Sequence, residues 1–230
     1  MNTIKSISLI FPLYNDKNTV EIMITKSLKV LKKLKKKYEI IIIDDGCPQN
    51  SGKLAAKIAK KFTSVKVFFH KKNLGYGAAI RTGLKKSKND WIFIIDGDNE
   101  FDVNDLTKLV KVAKYNDLVI TFRHKKIYKT YRIFVSWIYN VILRLLFNIR
   151  FRDVSSASRL VKKKLTKNIK LTSKSPFIGA ELVVKSKWAG YNVGEVGIYQ
   201  YPQTFRNESV SLKNILLTIK DMILLFMRIL

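Results

Sequence analysis

The first half of the chain alternates short aliphatic runs with stretches of helical periodicity, and this alternation limits the possible fold more than any other feature. Aliphatic runs occupy residues 4–11, 39–43, 65–70 and 91–95, while residues 20–34 carry apolar side chains at helical spacing. Strands that alternate with helices through short connections form parallel sheets with helices on both faces. The sequence therefore predicts an α/β fold with a doubly wound, mostly parallel sheet, followed by an amphipathic C-terminal helix.

Polar clusters follow three of the predicted strands. Residues 12–16 read Pro-Leu-Tyr-Asn-Asp, residues 44–46 read Asp-Asp-Gly, and residues 96–98 read Asp-Gly-Asp. Ligands of open α/β sheets bind at the carboxyl ends of the strands. The coincidence of the three clusters with three strand ends indicates one site assembled from several strands.

The last of these clusters continues into a third acidic residue. Asp96, Asp98 and Glu100 alternate along the chain, and in an extended backbone alternate side chains point to the same face. Three converging carboxylates suit a hard divalent cation, Mg²⁺ or Mn²⁺, which in turn suits a diphosphate. The alternative is a polar turn after a strand with no metal.

The charge of the chain points to anionic partners. It carries 44 Lys and Arg against 17 Asp and Glu, a formal net charge of +27, which favours a membrane surface, a nucleic acid or a phosphorylated substrate. Acidic strand ends would repel nucleic-acid phosphates, so we expect no nucleic acid as partner. The single Cys47 excludes an internal disulfide and fits a reducing compartment, and we recognise no signal peptide. His70 is expected to be a surface residue at a strand end rather than a catalyst.

Two segments are apolar enough to suggest contact with a membrane. No stretch of 18 apolar residues is free of charge, so we predict no transmembrane helix. Residues 133–149 and 215–230 are largely apolar with basic residues nearby, a pattern typical of helices that lie in the membrane interface. The alternative is an ordinary core-facing helix. We expect a cytoplasmic protein, peripheral on the inner face of an anionic membrane.

Taken together, the motifs resemble a known family. The motifs are Phe-Pro-Leu-Tyr-Asn-Asp at 11–16, Ile-Ile-Ile-Asp-Asp-Gly at 41–46, Asn-Leu-Gly-Tyr-Gly-Ala-Ala at 73–79, and Asp-Gly-Asp-Asn-Glu at 96–100. In this order they resemble the family 2 glycosyltransferases of the GT-A fold. Within that family the chain is similar to the dolichol-phosphate mannose synthase and polyprenyl-phosphate glycosyltransferase branch, over about residues 4–210.

The resemblance implies roles for the strand-end residues. It assigns the nucleotide sugar to Pro12, Tyr14, Asp16, Asp44, Asp45 and Asp96. It assigns the metal to Asp96, Asp98 and Glu100, with Asp98 as a catalytic residue and Glu100 where this branch often has Gln. The alternative for Asp44 and Asp45 is an N-cap pair before a helix.

The resemblance also implies an acceptor-binding segment at residues 122–160. Arg123, Arg132 and Ser136 match the branch in position and would bind the acceptor phosphate, with Arg132 also counted as catalytic. Each Arg has the alternative of a solvated surface charge. A turn at residues 206–209 would close over the donor, with Arg206 contacting the diphosphate. Residues 1–210 would then form the catalytic domain and residues 211–230 a membrane-proximal helix.

The implied reaction is inverting and metal-dependent. A hexose would pass from a nucleotide diphosphate sugar to a polyprenyl phosphate at the cytoplasmic membrane face. The phosphate is ionised at neutral pH, so this reaction requires no general base. The alternative is a hydroxyl acceptor on a glycan or lipid, which needs a carboxylate base, for which Glu181 and Asp153 are the candidates.

Overall fold

The computed structural model describes residues 2–202 and 212–228, and within them seven strands form one mixed sheet. The strands are β1 Ser6–Leu13, β2 Lys37–Asp44, β3 Val65–Phe69, β4 Trp91–Ile94, β5 Leu118–Arg123, β6 Arg159–Lys162 and β7 Val193–Ile198. Their order across the sheet is β3-β2-β1-β4-β6-β5-β7. Strand β6 runs antiparallel to both neighbours, and the other four pairings are parallel. The predicted mostly parallel α/β sheet is confirmed.

Helices cover both faces of this sheet. They are α1 Val20–Lys33, α2 Ser51–Ala59, α3 Tyr76–Lys86, α4 Leu106–Val112, α5 Thr130–Phe147, α6 Lys163–Asn168, α7 Ile178–Trp188 and α8 Leu212–Phe226. A 3₁₀ turn at Val103–Asp105 leads into α4. Side chains of α1, α2 and α4 share one core with one face of the sheet, and those of α3, α5, α6, α7 and α8 share a second core with the other. Because successive strand residues alternate between these cores, Ile40 to Ile43 of β2 are all buried.

Two elements were not expected from the sequence. The run at 152–159 is polar and carries no strand pattern, but β6 begins at its last residue and pairs with β4 and β5. Helix α6 follows directly. Strand β6 has four residues, of which only Leu160 and Val161 are apolar. It is therefore too short to show the alternation of apolar and polar residues by which a strand is recognised in a sequence. Its place in the sheet is decided by pairing on both sides.

The two apolar segments near the acceptor region and the C-terminus are helices with one buried and one exposed side. Leu143 and Phe147 of α5 and Met222 and Leu225 of α8 lie in the second core. Other apolar side chains of these helices are exposed, among them Phe134, Trp137, Leu145, Leu216 and Ile223. None of the described helices is both long and apolar enough to cross a membrane.

Candidate active site at the strand ends

The three polar clusters meet at one edge of the sheet, as the sequence predicts. Strand β1 lies between β2 and β4. The Asp45 amide donates to the Leu13 carbonyl at 3.1 Å, and the Thr19 hydroxyl donates to the Gly97 carbonyl at 2.7 Å. A Cβ on Gly97 would stand 2.8 Å from the Pro12 carbonyl oxygen. The turn after β4 therefore lies so close to the end of β1 that any side chain at position 97 would clash with it.

The backbone that carries the acidic residues after β4 is a turn and not an extended chain. The strand ends at Ile94, a turn follows at residues 97–98, and Asn99 has a φ of 63°. Because the backbone is not extended, alternate side chains need not point to the same face. Within residues 2–202 and 212–228, no three His, Cys, Asp or Glu side chains converge closely enough to hold a metal ion. The described residues thus show no ready three-carboxylate site, and the metal role of Asp96, Asp98 and Glu100 stays a prediction.

The acidic side chains are held by neighbouring hydroxyl and amide groups. The Tyr76 hydroxyl donates to Asp96 Oδ1 at 2.8 Å. Glu100 Oε2 accepts from the Tyr128 hydroxyl at 2.9 Å and from the Gln200 amide at 3.1 Å. Glu100 is thus held toward Tyr128 and Gln200, whereas Asp98 accepts from the Glu100 backbone amide at 3.0 Å.

Negative charge accumulates at this turn. Burial, and then the charge of Asp98, raise the pKa of Asp96 to about 7. Burial and the charge of Asp98 also raise the pKa of Glu100. The charge of Asp98 thus acts on both neighbouring carboxylates, and a divalent cation would relieve this repulsion. The residues present therefore fit a metal at Asp96 and Asp98, with Glu100 adding charge.

A buried cation lies behind this cluster. Arg159 of β6 pairs with Ile94 across the ladder and is 5% exposed. Its Nη2 donates to the Val154 carbonyl at 2.8 Å, and its Nε has no partner in the described residues. Burial lowers the pKa of Arg159, and the charge of Asp96 partly offsets that effect. The sequence alone does not predict the burial of Arg159.

The acidic pair at the end of β2 accepts hydrogen bonds from backbone groups. Asp44 accepts from the Cys47 amide at 2.7 Å and the Gly52 amide at 2.9 Å. Since Asn50 is the N-cap of α2, Asp44 is not that cap, but it does bond the first turn. Asp45 accepts from the Leu74 and Gly75 amides, each at 2.9 Å. Both carboxylates hold the loops that surround the strand ends.

His70 is not the surface residue that was expected. Its Nδ1 lies 2.6 Å from Asp45 Oδ1, its Nε2 lies 2.9 Å from the Thr82 hydroxyl, and its side chain is 10% exposed. His70 therefore ties Asp45 to helix α3. The sequence carried no signal for this contact, because Thr82 belongs to a different element.

The end of β1 forms a tight turn. Pro12 is buried in the strand, and Asp16 accepts from the Tyr14 amide at 2.9 Å. Asp16 is buried, whereas Tyr14 is partly exposed. Tyr14 therefore lies at the rim of the edge where the other strand ends meet.

The basic residues that follow β5 form one cluster, but they differ in their partners. Arg123 makes a bidentate pair with Asp153, at 2.6 Å from Nε and 3.0 Å from Nη2. Despite burial, hydrogen bonding to Arg123 lowers the pKa of Asp153. The Arg132 guanidinium lies 3.7 Å from the centre of the Tyr128 ring, and no hydrogen bond to it is found in the described part of the chain. Ser136, one turn later on α5, accepts from Lys126 at 2.7 Å.

Tyr128 joins the acidic and basic clusters. Its hydroxyl donates to Glu100, and its ring lies under the Arg132 guanidinium. This contact brings the acidic turn after β4 beside the basic residues that follow β5. Neither Tyr128 nor Lys126 was predicted as a site residue, because a single Tyr or Lys in a basic run carries no spacing signal.

The two candidate general bases are both engaged. Glu181 is fully buried, and its carboxylate accepts from the Thr172 and Ser173 amides and from Lys185. Asp153 is held by Arg123 as described. The predicted turn with Arg206, at residues 206–209, lies outside the described residues.

Comparison with solved structures confirms the GT-A type of fold. Glucosyl-3-phosphoglycerate synthase from Mycobacterium tuberculosis in complex with phosphoglyceric acid superposes with a TM-score of 0.73 at 15% identity, over 97% of this chain and 80% of that one. Its complex with Mn²⁺, UDP and phosphoglyceric acid gives a TM-score of 0.74 at 14% identity, over 96% and 78%. At this identity the likeness shows the fold alone.

Two curated relatives are similar to part of the chain. The human (Homo sapiens) dolichyl-phosphate beta-glucosyltransferase is 34% identical over 114 residues, which are 46% of this chain and 35% of the relative. The undecaprenyl-phosphate 4-deoxy-4-formamido-L-arabinose transferase of Serratia proteamaculans (strain 568) is 29% identical over 143 residues, 61% of this chain and 44% of the relative. The matches thus cover less than half of either relative.

The glycosyl transferase family 2 model matches residues 8–170, which is more than half of the chain. That range contains the three strand-end clusters and the basic acceptor segment. The chain therefore belongs to glycosyl transferase family 2.

Proposed function

We propose that this protein is an inverting glycosyltransferase that moves a hexose from a nucleotide diphosphate sugar to a polyprenyl phosphate. The observation that carries the proposal is the Tyr128 bridge, which joins an acidic strand end to a half-buried, stacked Arg132. An acidic turn suits a metal-bound diphosphate, and an adjacent guanidinium suits an acceptor phosphate. The two relatives, a dolichyl-phosphate and an undecaprenyl-phosphate transferase, support the same acceptor class.

The donor would lie across the three strand ends. Asp16, Asp44 and Asp45 stabilise the loops there through bonds to backbone amides. The proposed nucleotide-sugar set is Pro12, Tyr14, Asp16, Asp44, Asp45 and Asp96. Asp96 and Asp98 would hold Mg²⁺ or Mn²⁺, which when bound would neutralise charge on the diphosphate leaving group. A similar structure that holds Mn²⁺ with UDP supports this choice of cation.

The acceptor would lie over α5. An oxygen of its phosphate would form the new bond to the anomeric carbon while the bond to the diphosphate breaks and its electron pair leaves with the nucleotide. Arg132 would orient the attacking phosphate, and Ser136 would donate to it from one turn further along the helix. Arg123 belongs to the same cluster through its contact with Tyr128.

A hydroxyl acceptor is less well supported. That reaction needs a carboxylate that can take a proton, and the two candidates are Glu181 and Asp153. Hydrogen bonds lower the pKa of both in spite of burial, which makes each a weaker base. An ionised phosphate acceptor does not need either.

The same chemistry would take place at a membrane. Exposed apolar side chains on α5 and α8, together with the positive charge, favour peripheral binding to the anionic cytoplasmic face. Helix α5 also carries Arg132 and Ser136, so its docking would present the acceptor phosphate at the level of the lipid headgroups.

The test combines a donor screen with a matched pair of variants. Radiolabelled nucleotide sugars are incubated with enzyme and polyprenyl phosphate, and label in the organic phase is counted. Arg132→Ala should lower kcat/KM for the acceptor about ten- to a hundred-fold, as expected for one lost charge-assisted contact, and leave donor binding intact. The control is Lys129→Ala, an exposed cation near the start of the same helix. Absence of extractable label with every donor, or equal rates for Arg132→Ala and Lys129→Ala, would refute the proposal.

A further inference from the structure

Most of the N–H donors of Arg123 are already engaged by neighbouring groups of the chain. Arg123 uses Nε and Nη2 on Asp153, Nη2 also on Ser155 at 2.7 Å, and Nη1 on Tyr128 at 3.3 Å. Its side chain is 5% exposed. Four of its five N–H donors are therefore engaged within the chain, and a phosphate that gripped Arg123 with two oxygens would have to displace one of these partners.

Lys126 presents the opposite situation. Its ammonium donates to Ser136 at 2.7 Å and lies 3.7 Å from Asp153 Oδ1. An ammonium has three donors, and among the described residues only the Ser136 contact is a hydrogen bond. The side chain is 18% exposed, so it is neither sealed in the core nor solvated on the surface. Burial lowers the pKa of Lys126, as expected for a cation that lacks a full complement of partners.

Several hydrogen-bond donors lie next to one another at the start of α5. Ser136 lies one turn after Arg132 on α5, and Lys126 reaches Ser136 from the loop before that helix. Ser155 Oγ lies 3.4 Å from Ser136 Oγ and belongs to the Arg123–Asp153 network. The Arg123–Asp153 pair therefore lies behind the donors, where it orders the two segments that carry them.

We propose that Lys126, with Arg132 and Ser136, contacts the acceptor phosphate, and that Arg123 is a positioning residue clamped by Asp153. This inference rests on the proposed function, because the anion is taken to be the phosphate of the lipid acceptor. It reverses the role that the resemblance implies for Arg123. It also assigns a phosphate contact to a lysine that the sequence did not single out.

The first experiment compares Lys126→Met with Lys125→Met, its exposed neighbour. Binding of farnesyl phosphate and of farnesol is measured in detergent micelles, with thermal midpoints as the control for folding. Lys126→Met should weaken farnesyl phosphate binding about ten- to a hundred-fold and leave farnesol binding unchanged. Lys125→Met should match the wild type. Equal affinity of Lys126→Met and the wild type for farnesyl phosphate would overturn the inference.

The second experiment separates positioning by Arg123 from contact. Arg123→Gln should lower the thermal midpoint and weaken farnesyl phosphate binding, because Asp153 loses its bidentate partner and keeps only the longer contact with Lys126. Adding Asp153→Asn removes the uncompensated charge and should restore both properties. A double variant that is stable but still binds farnesyl phosphate weakly would show that Arg123 is itself a ligand.

The proposed function fails in a different way. If the wild type binds farnesyl phosphate no better than farnesol, the phosphate acceptor is wrong, and the inference falls with it. If the wild type prefers the phosphate and the Lys126 and Arg123 variants do not behave as stated, the inference alone is refuted.

Discussion

Replacing Glu181 with Gln tests whether this buried carboxylate is structural or catalytic. Glu181 Oε1 accepts from the Thr172 amide and hydroxyl, each at 2.9 Å, and from Lys185 at 2.6 Å. Its Oε2 accepts from the Thr172 amide at 3.0 Å and from the Ser173 amide at 2.9 Å. Gln has only one side-chain oxygen. Its NH₂ group would replace the second carboxylate oxygen and would face N–H or O–H groups that need an acceptor.

The expected loss of stability follows from these contacts. One buried backbone donor left without an acceptor costs about 1–3 kcal/mol, and replacing charged by neutral hydrogen bonds adds to that loss. We expect the free energy of unfolding to fall by about 2–5 kcal/mol. Urea unfolding followed by tryptophan fluorescence measures this loss. The control is Glu21→Gln, which changes an exposed carboxylate on α1 and should shift stability by less than about 0.5 kcal/mol.

The loss should also depend on pH. Burial works to raise the pKa of Glu181, but hydrogen bonds from Lys185, Ser173 and Thr172 outweigh it and lower the pKa below its ordinary value of 4.5. A carboxylate with a lowered folded-state pKa stabilises the protein above its unfolded pKa and loses that contribution as pH falls through the folded value. The difference between wild type and Glu181→Gln should therefore be largest above about pH 5 and shrink in acid.

Activity decides between the two roles. At a temperature where Glu181→Gln is still folded, we expect turnover close to that of the wild type, because a phosphate acceptor needs no base. A variant with an unchanged urea midpoint and a collapsed kcat would contradict this reasoning. That result would make Glu181 the base of a hydroxyl-acceptor enzyme.

Three further predictions address the metal, the membrane and the packing behind the site. EDTA should abolish sugar transfer, and added Mg²⁺ or Mn²⁺ should restore it. Asp98→Asn should lose most of its turnover and remain folded. Full activity in the presence of the chelator would exclude a metal requirement. The double variant Leu216→Ser with Ile223→Ser should weaken flotation with anionic vesicles about tenfold or more, since each inserted side chain contributes about 1.5–3 kcal/mol. Unchanged binding would remove α8 from the docking surface. These exposed positions are preferable to a deletion of residues 215–230, because Met222 and Leu225 are part of the core. Gly179→Ala should destabilise the fold even though Ala has the better helix propensity. The new Cβ would meet Arg159 Nη2 at 2.2 Å, and overpacking costs about 1–3 kcal/mol. A thermal midpoint at or above that of the wild type would show that Arg159 can move aside.

The sequence alone determined the fold class and the location of the site. Aliphatic runs at residues 4–11, 39–43 and 91–95 have the composition of strands buried on both faces, which is a local property. The polar clusters after them necessarily lie at one edge of a parallel sheet. These features can be predicted from the sequence because each depends only on the order of residues within a short segment.

The tertiary structure decided which side chains meet. Strand β6 is a strand because β4 and β5 pair with it on both sides, and this brings Arg159 behind the acidic turn. A turn after Ile94 replaces the extended backbone that the alternation of Asp96, Asp98 and Glu100 suggested. Contacts such as Arg123 with Asp153 join residues 30 apart in sequence. Hydrogen-bond geometry between distant segments, which no local pattern encodes, therefore decides which groups are occupied and which are available to a ligand.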